Sequence, residues 1–155
     1  MLPQKYCGDF PVGYKINTPS ITVTETHIVN WACLTMDFNP LHIDNEYASR
    51  TEFQERIAHG PLIFALSIGL VASTGEAGNG VLAWLGVENM KMKSPVFIGD
   101  TINVVVEVLR KKDTRKEDRS VHTWQYQVNN HKGVNVLMFD FLIMMRCRGA
   151  KDNAK

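Results

Sequence analysis

The stretch HGPLIFALSIGLVAST, residues 59–74, decides the reading of the fold. Pro61 suits a first helical position, where its missing N–H costs nothing, and Gly60 suits the residue before it. Beyond them the run is apolar at almost every position instead of along one stripe. A helix of that composition is buried on nearly every side. In a chain of 155 residues this requires another element to wrap around it. The apolar run itself, residues 61–72, is far short of the ~20 residues a membrane span needs.

The chain downstream supplies the wrapping. Four β-rich stretches are expected at 80–93, 101–112, 119–130 and 133–147, separated by short turns. Val104, Val106 and Val108 alternate with polar Asn103 and Glu107, the period of a half-buried strand. Asn130-His131-Lys132-Gly133 is a hairpin signal, and connections this short favour antiparallel pairing. Upstream, Ile21–Thr24 reads as a short fifth strand. Thr24 then caps a helix over 25–36 with apolar residues at Ile28, Val29, Trp31, Ala32 and Met36. Residues 1–18, punctuated by Pro and Gly, read as an extended arm with a short turn, and a short helix is expected around Asn45–Ser49. The sum is an α+β arrangement, a five-stranded antiparallel sheet curled around one long helix. No repeat, linker or low-complexity tract divides it, so one domain over 1–155 is expected.

Composition narrows the function. A net charge of +1 points to neither nucleic acid nor an anionic membrane as a bulk partner. No basic-then-apolar leader is read at the N-terminus, and a cytoplasmic location is expected. Cys7, Cys33 and Cys147, widely spaced and odd in number, do not look like a disulfide framework or a zinc site. Cys33 and Cys147 lie in apolar stretches and read as buried small hydrophobes. His27, His122 and His131 have no ligand spacing, and no metal is expected.

The segment DFNPLHIDNEYASR, residues 37–50, interrupts the helical pattern because Pro40 disfavours a helical Asn39. Asp37 and His42 can converge across this rigid turn, and a neutral His beside a carboxylate can hold and polarise water. The plainer alternative is that Asp37 and Asn39 only cap the turn, with His42 a core residue. His59-Gly60-Pro61 offers a second feature, because the free N–H of Gly60 at a helix N-terminus can stabilise a developing oxyanion. The plainer alternative there is an ordinary helix cap. The basic run 110–119 reads as a solvated hairpin tip; alternatively Lys111, Lys112 and Arg115 meet ligand phosphates.

Taken together, DFNPLH with Asp44 and Ala48, then IAHG at 57–60, resembles the MaoC-like dehydratase and (R)-specific enoyl-CoA hydratase family. PVFIGDTINVVVEV at 95–108 and FPVGYKINTPSITVTETHIVNWACLT from Phe10 extend the resemblance over almost the whole chain. It implies the hotdog fold and a homodimer or higher even oligomer with pockets at the subunit interface. It implies a hydro-lyase that reversibly adds water to a trans-2-enoyl-CoA, or to the matching acyl carrier protein thioester, giving the (R)-3-hydroxyacyl product. No cofactor is implied, coenzyme A being part of the substrate. By resemblance Asp37 and His42 activate the water and Gly60 polarises the thioester carbonyl. Asn39 and His59 fall on the substrate-binding side, Asn39 bracing the turn and His59 supporting the oxyanion site. The family most often has Gly before the aspartate, whereas this chain has Met36, which is expected to shift the helix end or narrow the pocket. The competing readings are a non-catalytic acyl-thioester-binding subunit and a hotdog thioesterase.

Overall fold

In the computed structural model, which describes residues 2–148, the elements follow the expected order. Strands β1 (Lys15–Asn17) and β2 (Ile21–Thr22) precede helices α1 (Glu25–Thr35), α2 (Pro40–Ile43), α3 (Asn45–Ala48) and α4 (Gly60–Ser73). Four long strands follow: β3 (Val81–Met92), β4 (Thr101–Asp113), β5 (Arg119–Asn130) and β6 (Asn135–Arg146). They form one antiparallel sheet in the order β1-β4-β5-β6-β3, with β2 also pairing with β4. The sheet is thus five positions wide but holds six strands, one more than the sequence reading. The extra strand is β1, too short to show periodicity and held in place by its register against Val105–Glu107. Its Ile16 is buried, and Lys15 reaches Glu107 at 3.4 Å.

One face of the sheet is apolar. Ile102, Val104, Val106 and Val108 of β4 line up with Trp124, Tyr126 and Val128 of β5 and with Leu137, Phe139, Phe141 and Ile143 of β6, all buried. Helix α4 lies on this face and buries Leu62, Ile63, Leu70 and Val71. Its Phe64, Leu66 and Ile68 remain half-buried, so the wrapping is complete on one side only. Those residues adjoin β3, an edge strand that carries exposed Val81, Leu82, Trp84, Leu85, Met90 and Met92.

The cysteine reading is corrected. Cys7 and Cys147 form a disulfide, and Cys33 on α1 is exposed. The end of β6 and the 3-10 turn at Cys7–Asp9 meet in space although 140 residues separate the two cysteines, a proximity that spacing along the chain does not reveal.

His122 on β5 is fully buried on the apolar face. Burial, with a smaller push from Lys111, holds its imidazole down to about 4. The unfolded chain takes up this proton near pH 6.5 and the folded chain only near 4, so acid favours unfolding between those values. Stability to denaturant should be constant above about pH 6.5 and fall as pH drops toward 4. His122→Gln should flatten that slope in urea titrations across the same range.

Candidate active site

The site is built where the end of α1 meets the start of α4. Helix α1 stops because Met36 turns left-handed, at φ 63°. The chain then runs through Asp37 into a tight turn in which the Asp37 carboxylate accepts the Asn39 N–H at 3.3 Å. Asn39 caps α2, its side-chain oxygen accepting the Leu41 N–H at 3.0 Å, and Pro40 takes the first helical position. This short helix points His42 back at the segment that leads into α4. Asp44 caps α3 in the same way, accepting from the Tyr47 N–H.

That second segment is anchored separately. Ile57 bridges to Phe97, and the Ala58 N–H donates to the Val96 carbonyl at 2.7 Å. Arg56 reaches Glu25 at the start of α1 at 2.9 Å. The Ile57 carbonyl so positioned accepts from His42 Nδ1 at 2.8 Å, which leaves Nε2 of a neutral His42 as a bare acceptor. Burial is the strongest influence on His42 and lowers its pKa. The Ile57 bond opposes this, neighbouring His59 adds to it, and Asp37 opposes it.

His59 is buried, and its Nε2–H donates to the main-chain carbonyl of Asp37 at 3.0 Å. Its ring lies against that of His42 at 3.8 Å between centroids. Nitrogens of the two histidines and a carboxylate oxygen of Asp37 all fall within 4.8 Å of one another. His59 and Asn39, expected on the substrate side, each commit one polar side-chain atom to the backbone, His59 Nε2 to the Asp37 carbonyl and Asn39 Oδ1 to the Leu41 N–H, and so help to set positions. Ser67 also turns inward, its hydroxyl donating to the Phe64 carbonyl.

His42 and Gly60 line a cavity of about 330 Å³ with Phe53, Ile63, Met92 and Val96. Asp37 stands beside it, exposed. Gly60 is the first residue of α4, and its N–H has no partner among the described residues. The thioether of Met92 lies against this glycine, its methyl 3.2 Å from where a Gly60 Cβ would stand. Nothing in the sequence singled out Met92, Phe53 or the Ile57 carbonyl, which act through a strand end and a loop with no motif. Trp84 and Leu85 take no part in this cavity and are exposed on β3. The basic tip between β4 and β5 lies about eight residues along β4 from the strand positions level with the cavity, roughly 27 Å. Lys111 there donates to the Cys7 carbonyl.

Met36 does not narrow this cavity. Its side chain is 77% exposed, and only its backbone matters. A left-handed residue ends the helix, which explains on steric grounds why glycine suits this place.

The family described as MaoC like domain matches residues 9–130. Protein MaoC of Klebsiella aerogenes is 36% identical over 78% of this chain and 36% of its own length. An (R)-specific enoyl-CoA hydratase of Rhodospirillum rubrum is 40% identical over 56% of this chain and 58% of its own. The chain thus spans between a third and three fifths of these two relatives. A solved monoamine oxidase regulatory protein from Archaeoglobus superposes with a TM-score of 0.88 at 36% identity, covering 94% of this chain and 96% of that one. The fold is the hotdog fold: a double-hotdog protein of Mycobacterium tuberculosis superposes at a TM-score of 0.82, at 17% identity over 94% of this chain and 45% of its own.

Replacing Met36 by Gly should relieve the left-handed backbone and stabilise the protein by about 1 kcal/mol, a rise in Tm of roughly 2–4 °C. Met36→Ala, which keeps the Cβ, should leave Tm within about 1 °C.

Proposed function

The chain belongs to the MaoC-like domain family, and from that premise we propose that it is a hydro-lyase adding water reversibly to the double bond of a trans-2-enoyl thioester to give the (R)-3-hydroxyacyl thioester. The observation that carries this reading is that His42 and the free N–H of Gly60 belong to the lining of one largely apolar cavity, with a carboxylate oxygen of Asp37 within 4.8 Å of a His42 ring nitrogen beside it. The thioester carbonyl accepts from Gly60, where the partial positive charge of the α4 N-terminus meets the negative charge of an enolate. Water lies between His42 and Asp37. Because Nδ1 is committed to the Ile57 carbonyl and burial disfavours the cation, His42 is the acceptor for the water proton as oxygen attacks the β-carbon. The pair returns a proton to the α-carbon, so the reaction needs no cofactor. Coenzyme A is the proposed carrier, with an acyl carrier protein thioester as the other form of the same substrate.

A second copy of the chain is proposed to cover the β3 edge and the half-buried side of α4. An unpaired strand that presents Val81, Trp84 and Leu85 to water otherwise invites uncontrolled association. Among the described residues no helix is long and apolar enough to cross a membrane, and a cytoplasmic site of action fits a coenzyme A ester as substrate.

The loss of conjugated-thioester absorbance on mixing with crotonyl-CoA tests the reaction. Asp37→Asn and His42→Ala should each lower kcat by about 10²–10⁴-fold with the fold retained. In the wild type, kcat/KM should hold as pH falls through the ordinary histidine value of about 6.5 and decline only below it, because burial lowers the His42 pKa. Absence of any hydration by wild-type protein across short, long and branched enoyl-CoA esters would remove the proposal. Trp84→Glu should halve the mass seen by light scattering, and an unchanged mass would rule out the β3 interface.

A further inference from the structure

At the opposite end of α4 from the candidate site, the N-terminal arm lies over a second apolar cavity of about 260 Å³. Leu2 lies at its mouth, itself largely exposed, with Ile68, Val71, Trp124, Tyr126 and Phe141 also lining it. Apart from the disulfide, few polar contacts hold residues 2–6 of this arm to the body. The Asn79 N–H donates to the Pro3 carbonyl, the Asn79 side chain accepts the Lys5 N–H, each at 3.1 Å, and the Arg148 guanidinium sits 4.9 Å above the Tyr6 ring. The fit is close nonetheless: a Cβ on Gly78 would lie 2.1 Å from the Pro3 carbonyl oxygen. The covalent hold is Cys7–Cys147, and both cysteines line a surface groove with Tyr6, Gly8, Asp9 and Arg148.

Behind Cys147 runs a chain of side-chain hydrogen bonds that the candidate site does not use. Trp124 Nε1–H donates to His122 Nδ1 at 3.4 Å, which places the His122 proton on Nε2. Nε2 is 3.0 Å from Ser120 Oγ, so the imidazole N–H donates to that oxygen. The Ser120 hydroxyl is thereby free to donate to Cys147 Sγ, 3.4 Å away. A donor aimed at one sulfur of a disulfide stabilises the thiolate that leaves when the other sulfur is attacked.

We propose that Cys7–Cys147 is a thiol–disulfide exchange site, a latch that holds the N-terminal arm over the second cavity and is opened by dithiol reductants. A dithiol's thiolate attacks Cys7 Sγ and the S–S bond breaks, leaving Cys147 as a thiolate under the Ser120 hydroxyl. The reductant's second thiol then attacks the mixed disulfide, releasing Cys7 and closing the reductant's own disulfide. Two electrons and two protons pass from dithiol to protein. In a reducing compartment, where disulfides are scarce and those found are mostly transient or sensing, such a latch spends part of its time open. The inference stands independently of the hydratase reading.

The test uses the whole wild-type protein with and without dithiothreitol, reading tryptic cleavage after Lys5 and the fluorescence of an apolar dye. Reduction should speed that cleavage at least 10-fold and raise dye fluorescence, while the melt stays cooperative and reoxidation reverses both changes. Gly78→Ala, which blocks the arm's seat without touching a cysteine, should show fast cleavage even when oxidised. Ser120→Ala should slow reduction by dithiothreitol about 5–10-fold with little change in Tm, the outcome a purely structural serine would not give. A disulfide that resists excess dithiothreitol in the folded protein would overturn the proposal. So would reduction that leaves cleavage and dye binding unchanged.

Discussion

One hydrogen bond, from the buried His59 to the main-chain carbonyl of Asp37, joins the two halves of the candidate site. Asp37 and His42 arrive on a turn after α1, and Gly60 arrives at the head of α4, with His59 22 positions after Asp37 along the chain. Without a cross-tie the carboxylate and the α4 amide would be placed by two separate loops. His59 is the residue before α4, so its ring fixes Asp37 relative to the helix dipole, and its stacking on His42 fixes the second acid–base group as well. A fully buried imidazole with Nδ1 unpartnered is a costly way to pack a loop. It is an economical way to hold Asp37, His42 and the head of α4 beside one small cavity.

The sheet serves the same end. Its apolar face seats α4 through Leu62, Ile63, Leu70 and Val71, and a seated helix start is what lets a single backbone N–H act as a preoriented donor. Met92, at the end of β3, packs against Gly60 with a flexible thioether instead of a rigid wall. The thioether can move aside for a thioester and can keep water out when none is bound. The apolar lining weakens the charged form of His42 and so favours the neutral, accepting form.

Much of this was legible in the sequence because its signals are local. The all-round apolar character of residues 61–72 called for a wrapped helix, and strand alternation around Val104–Val108 supplied the wrapper. The turn in DFNPLH placed Asp37 and His42 together without knowledge of the rest. What escaped were features made by closure of the fold. Strand β1 has a single buried side chain, Ile16, and exists because β4 offers it an edge. Cys7 and Cys147 meet because the first and last described segments converge, so the apolar neighbours of Cys147 misled the reading. His59 passed for an oxyanion residue, since its motif position says nothing of which way its ring turns. The basic hairpin tip drew attention by charge alone, and only the register shows how far along β4 it stands from the cavity. Met36 was misread for the opposite reason: its size was noticed, whereas its backbone angle is what matters.

The most direct measurement of the central claim, that His42 and the Gly60 amide face the same thioester, is an NMR titration of labelled protein with butyryl-CoA. This saturated ester has no double bond to hydrate, so it reports binding without turnover. The account predicts that the Gly60 amide and the His42 imidazole shift together, with one saturation curve, and that His59→Gln uncouples them. Saturable binding that shifts neither group, or that moves residues of the basic hairpin tip alone, would contradict it.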